Sequence, residues 1–178
     1  MINETKFILL MGCLLLSACN PLSDSQVADE KAANVPEGRL ATALVGGDYA
    51  PQDYWSGQWR IINIWAEWCK PCWQEIPELN QFFAAQENSS VRLLGFNFDE
   101  LERAELVLLK EKMSIQFPVL TQWPESWTKP EIKGLPATVI LSPEDKIINI
   151  LWGPQSLATL NKSLKDAKKV IKDRFDEG

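Results

Sequence analysis

The sequence predicts an α/β fold with a central mixed β-sheet flanked by helices on both faces. Three observations lead there. The predicted elements run strand, helix, strand, helix, hairpin, helix. The first strand of that series passes directly into a helix through two closely spaced cysteines. Two strand–helix units then precede an antiparallel pair. Strand–helix–strand units build parallel pairing and a hairpin adds antiparallel strands, so the sheet must be mixed.

The elements follow in order. Turn residues crowd the stretch from Arg39 to Trp59 (Gly46-Gly47, Pro51, Gly57), which predicts short edge strands. Arg60 to Trp65 (RIINIW) is short, apolar and β-branched, a buried strand. Pro71 to Gln86 predicts a helix, because Ile76, Leu79, Phe82 and Phe83 recur at helical spacing. Pro77 lies inside it and is expected to kink it, having no N–H for the Trp73 carbonyl. Val91 to Phe98 (VRLLGFNF) is a second buried strand. Leu101 to Met113 is a second helix with Leu101, Ala104, Leu108 and Lys112 along one line. Leu120 to Glu131 is irregular and carries Trp123, Pro124, Trp127 and Pro130. Thr138 to Leu141 and Lys146 to Leu151 form a hairpin around Ser142-Pro143-Glu144-Asp145. Ser156 can cap a last helix whose inner face is Leu157, Leu160, Leu164, Ala167, Ile171 and Phe175. Lys162, Lys165, Lys168, Lys169 and Lys172 form its solvated face, with a membrane-surface role as the alternative.

A chain of 178 residues holds one well-cored domain and a short extension. The apolar run from Phe7 to Leu16 falls short of the roughly 20 residues a membrane span needs. Its length suits the core of a signal peptide, followed by Leu16-Ser17-Ala18-Cys19. This ending resembles a bacterial lipoprotein signal. The resemblance implies cleavage before Cys19, a lipid on Cys19 and loss of Cys13. An ordinary signal peptide or an uncleaved anchor is the alternative. Residues 1–18 are then the signal, 19–38 a lipidated tether, and 39–178 the folded domain. A coil of the tether's length reaches roughly 25 Å.

Composition removes several chemistries. The chain has no histidine, so it lacks Ser-His-Asp and Cys-His catalysis and His-ligated metal sites. Its net charge of −6, with no basic groove to offset it, argues against nucleic acid. No metal or other cofactor is expected.

The chemistry concentrates in Trp65-Ala66-Glu67-Trp68-Cys69-Lys70-Pro71-Cys72. Two residues between cysteines at a helix start let the sulfurs meet. Cys69 then sits beside unpaired helix N–H groups, which with the charge of Lys70 favour its thiolate. Pro71 suits the first turn, where its missing N–H costs nothing. Cys72, one turn in, is expected to be less exposed and to resolve a mixed disulfide formed by Cys69. Zinc would need further ligands, and a purely structural disulfide would close too small a loop to stabilise much. Glu75 is either a solvated first-turn acid or a proton-transfer group, and Glu67 is a second candidate. Asn63, inside an apolar strand, needs hydrogen-bond partners if buried. Trp65 is expected in the core, whereas Trp68 and Trp73 are either core or a partner-docking surface.

The stretch Asn63 to Pro77 (NIWAEWCKPCWQEIP) resembles the active-site segment of the thioredoxin superfamily, and within it the TlpA/ResA-like membrane-anchored branch. The resemblance covers Arg60 to Gly153, with Phe117 to Leu120 (FPVL) also fitting. Thr121 to Ile132 departs from the pattern. The resemblance implies a thioredoxin fold. It implies that Glu75 tunes the cysteines and that Leu135-Pro136, in KGLPAT, is a cis-proline loop pairing with the client backbone. As an X-Pro bond alone, Leu135-Pro136 would be cis in only about 5–6% of cases.

The function expected is reduction of disulfides in secreted or periplasmic proteins by a lipid-anchored monomer on the periplasmic side of a bacterial membrane. A membrane thiol donor would supply electrons, and apocytochrome c is one client the resemblance offers. The rivals are a disulfide oxidase or isomerase, a peroxidase, and a Sco-like copper-binding module. The Lys-Pro pair lacks the His of strongly oxidising motifs, no peroxidatic Thr-x-x-Cys context is present, and copper sites of that kind add a His.

Overall fold

Trp59–Trp65 is buried at all seven positions, and the rest of the sheet forms around it. The computed structural model describes residues 42–43, 49–50, 55–87 and 89–176. The expected signal peptide, Cys19 and the tether lie outside the described residues. In chain order the elements are β1 (Thr42–Ala43), β2 (Tyr49–Ala50), β3 (Trp59–Trp65), α1 (Lys70–Ala85), β4 (Val91–Asn97), α2 (Arg103–Lys112), β5 (Val119–Leu120), β6 (Ala137–Leu141), β7 (Ile147–Trp152) and α3 (Leu157–Asp176). The main sheet has the order β5-β4-β3-β6-β7, and β1-β2 is a separate antiparallel pair. β3 pairs parallel with β4 and antiparallel with β6; β4 pairs parallel with β5, and β6 antiparallel with β7. The mixed sheet and the hairpin follow the expectation. Strand β5, within the Phe117 to Leu120 stretch that fits the resemblance, lies at the sheet's edge.

The two faces of the sheet differ from the expectation. Side chains alternate across a strand, so Trp59, Ile61 and Trp65 enter one core and Ile62 and Ile64 the other. The buried residues of α1 (Ile76, Leu79, Phe82), α2 (Leu106, Leu109) and α3 (Leu160, Leu164, Ala167) all join the first core. Among the described residues, no helix covers the second face. The reason is topological. The crossovers β3-α1-β4 and β4-α2-β5 step in the same direction across the sheet, and crossovers of one hand then put both helices on one side. The second face is sealed by aromatic rings instead. Trp127 meets Trp55 at 5.6 Å and Trp123 at 5.9 Å, and Trp123 meets Phe96 at 5.3 Å, all edge to face. Buried Arg60 lies 5.1 Å over Trp127 and donates to Asp145 and the Ser142 carbonyl, tying β3 to the hairpin turn. The irregular segment at 121–136 is therefore a packed lid.

Helix α2 also corrects the sequence. Its buried line is Leu106 and Leu109, continued by Met113, while Leu108 is 67% exposed. Leu106-Val107-Leu108-Leu109 is apolar all round, so spacing alone leaves the phase open. Helix α1 runs through Pro77, which is exposed. Ser156 caps α3 as expected, its Oγ accepting from the Thr159 N–H at 3.2 Å. The five lysines of α3 are exposed.

Gly95 lies opposite Asn63 at the centre of the first core. A Cβ there would meet Phe117, Trp65 and Val119 side-chain atoms at 3.1 Å each. All three are fully buried and have little room to yield. Gly95→Ala is expected to lower unfolding free energy by about 1–3 kcal/mol, read from the midpoint of a urea melt.

Candidate active site

β3 delivers the chain into a short turn closed by the Cys69 N–H on the Ala66 carbonyl at 3.2 Å. Cys69 is the N-cap of α1, with extended dihedrals (φ −84°, ψ 93°) and no side-chain cap of its own. The Cys72 N–H donates to the Cys69 carbonyl at 3.0 Å. Pro71 occupies the first turn, and no acidic residue lies there to oppose a thiolate. The two cysteines form a disulfide with their Cα atoms 5.3 Å apart. Cys69 is 4% exposed and Cys72 fully buried, the order expected from their places on the helix. Lys70 is exposed beside them.

Glu75 lies one turn beyond Cys72 and is only 2% exposed, so it is not a solvated first-turn acid. Its Oε1 accepts from Asn63 Nδ2 at 2.7 Å, and its Oε2 from the Gln155 backbone N–H at 2.8 Å. Burial pushes the carboxyl pKa up to about 7, against the opposing pull of the Gln155 N–H and the Asn63 amide. Asn63 is thereby the partner of Glu75, from the centre of β3. Its Oδ1, and Oγ1 of Thr138 directly across on β6, are buried without a hydrogen-bond partner among the described residues. Packing for stability alone would place apolar groups there.

The other candidates divide. Leu135–Pro136 is a cis peptide, as the resemblance implied. Pro136 is buried and its carbonyl accepts from the Gly153 N–H at 2.9 Å. Leu135 packs against both cores, including the one that holds Cys69 and Cys72. Glu67 is not brought to the buried carboxyl: it is exposed and pairs with Lys112 at 2.7 Å. Trp68 is 66% exposed; its indole N–H donates to Asp99 at 3.0 Å, and its ring meets half-exposed Phe98 edge to face at 6.3 Å. Trp65 is core, as expected. Trp73 packs partly against the core and donates to the Glu67 carbonyl at 2.8 Å. Sequence reasoning missed Gln155 and Gly153. Both act through backbone groups, which residue type does not advertise. It also missed Glu78, whose carboxylate accepts the Leu157 N–H at the start of α3 at 2.8 Å.

On this sheet, a cysteine pair closing at the N-terminus of a helix that follows the central strand defines a class: the thioredoxin-fold thiol–disulfide oxidoreductases. The chain belongs to the AhpC/TSA family, whose model matches residues 32–150. It is similar to sporulation thiol-disulfide oxidoreductase A of Bacillus subtilis, 27% identical over 89% of this chain and 96% of that protein. It is also similar to thiol-disulfide oxidoreductase ResA of Geobacillus kaustophilus, 24% identical over 72% of this chain and 74% of that one. A thioredoxin-family thiol:disulfide interchange protein of Chlorobium tepidum shares the fold, with a TM-score of 0.59, 21% identity, and coverage of 72% of this chain and 92% of its own.

The raised Glu75 pKa sets a pH dependence. Below the ordinary value of 4.5 the carboxyl is neutral in both folded and unfolded chains, and its burial costs nothing in ionisation. Between 4.5 and about 7 the unfolded chain ionises and the folded one resists, so stability falls as pH rises, then levels off. The full loss is about 3 kcal/mol. Glu75→Gln is expected to remove this slope, seen by urea unfolding of the oxidised protein from pH 4 to 8.

Proposed function

We propose that this chain reduces disulfides of secreted or periplasmic proteins through a Cys69–Cys72 cycle, held at the periplasmic side of a membrane by a lipid on Cys19. The observation that carries the redox reading is the Cys69–Cys72 disulfide at the α1 N-terminus with the buried Glu75 one turn on. The lipid anchor is supported by the Leu-Ser-Ala-Cys sequence. Among the described residues, no helix is long and apolar enough to cross a membrane.

In the reduced protein the Cys69 thiolate, favoured by the helix N-terminus, attacks one sulfur of the client disulfide. The client S–S bond breaks and its second sulfur leaves as a thiolate. Cys72 loses its proton and attacks Cys69 Sγ, releasing the first client sulfur and closing the Cys69–Cys72 disulfide. Two electrons pass to the client. Glu75, with a pKa near neutrality, is the group that takes the Cys72 proton. The Leu135–Pro136 loop receives the client backbone, and exposed Trp68 and Phe98 form an apolar contact beside Cys69. Lys70 and Pro71 lack the His that makes such pairs strong oxidants, which favours a reductase fed by a membrane thiol donor.

The reduction potential of the Cys69–Cys72 pair tests the direction. Equilibrated with thiol buffers and followed by tryptophan fluorescence, it is expected below about −220 mV; a value near −120 mV would make the protein an oxidant. Cys72→Ala tests the order of attack. It is expected to accumulate mixed disulfides with client proteins, seen on non-reducing gels and mapped by mass spectrometry to Cys69. Adducts absent under oxidising growth would sink the assignment of Cys69 as the attacking sulfur.

A further inference from the structure

We propose that the backbone N–H of Gln155 is a positioning group for this reaction, carrying the charge state of the Glu75 carboxyl to the Leu135–Pro136 loop. The proposal rests on the thiol–disulfide cycle above, in which that loop receives the client.

The connection is a continuous set of hydrogen bonds. Glu75 Oε2 accepts from Gln155 N–H at 2.8 Å. The Gln155 side-chain amide donates to the Gly153 carbonyl at 2.8 Å, bracing the turn from within. Gly153 N–H donates to the Pro136 carbonyl at 2.9 Å. Gly153 has φ +79°, a left-handed conformation that glycine adopts without steric cost, and Pro154 behind it fixes its own φ, so the link is stiff. Two residues past Gln155, Glu78 holds the Leu157 N–H at 2.8 Å. Helix α1 thus grips the turn at two points, and the turn grips the proline loop.

Among the described residues, the titratable group besides Glu75 that is hydrogen-bonded to this turn is Glu78, also on α1. Cys69 and Cys72 share the core but are joined as a disulfide and carry no titrating thiol in the oxidised protein. Strand β3 contributes only neutral Asn63 and the turn only neutral Gln155, while the lysines of α3 are exposed. A carboxylate accepts a charge-assisted bond, roughly twice as strong as the one a neutral carboxyl accepts. Ionised Glu75 therefore holds the turn, and with it the Pro136 carbonyl, more firmly than protonated Glu75. In the reaction, a proton passes from the Cys72 thiol to the Glu75 carboxylate as Cys72 attacks Cys69. That transfer weakens the Gln155 bond and loosens the loop at the step in which the reduced client leaves.

The test is amide hydrogen exchange at Gly153 in the oxidised full-length chain at pH 6 and pH 8, corrected for the intrinsic pH dependence of exchange. The Glu75 carboxyl is followed by carbon NMR in the same samples. Protection of Gly153 is expected to be about fivefold higher at pH 8 than at pH 6. In Glu75→Gln the difference is expected to vanish. In Gln155→Pro, which removes the N–H, protection is expected to be low at both pH values. Equal protection in the wild-type chain while Glu75 titrates would overturn the proposal, and so would a Glu75 that does not titrate between these pH values. The wild-type measurement stands even if either variant fails to fold. It needs no client, so it is separable from the redox cycle, whose failure would appear as no exchange with a small disulfide.

Discussion

Strand β3 is hydrogen-bonded along both edges and buried on both faces, and each functional group takes its place relative to it. Its C-terminal end aims the chain into the turn that seats Cys69 at the start of α1. Its antiparallel neighbour β6 begins immediately after Pro136, so the proline loop comes to the same end of the sheet. Its one amide, Asn63, lies where an uncompensated polar side chain would cost about 1–3 kcal/mol. Glu75 on α1 is the partner it finds, and each group makes the burial of the other tolerable.

The sheet separates chemistry from support. One face carries the three described helices, the cysteines and the buried carboxyl. The other is closed by Trp55, Trp123 and Trp127 over Ile62, Ile64 and Val139, with buried Arg60 stitched to the hairpin turn. Large rings in edge-to-face contact seal an area that a helix covers elsewhere. A platform braced from behind leaves the thiol face free to hold polar groups that contribute little to stability.

Much of this was legible in the residues. The long strands and helices were placed within about two residues of their ends, because buried strands and amphipathic helices differ in period. The Cys69–Cys72 pair, the hairpin at Ser142 to Asp145, the Ser156 cap and the solvated lysine face of α3 are all local patterns. The inward line of α2 was not legible, since four consecutive apolar residues support more than one phase. Helices on a single face were not legible either: the number of strand–helix units says nothing about the direction in which each crossover steps.

The site divides along the same line. The sequence by itself determined that a cysteine pair opens a helix after a buried strand, and that no histidine takes part, because residue identity and spacing of a few positions decide such things. Only the tertiary structure decided that Glu75 is buried rather than solvated, that Asn63 and the Gln155 N–H are its partners, and that Glu67 pairs instead with Lys112. A carboxyl's solvation and its partners come from residues 12 and 80 positions away, brought together only when the sheet and helices pack.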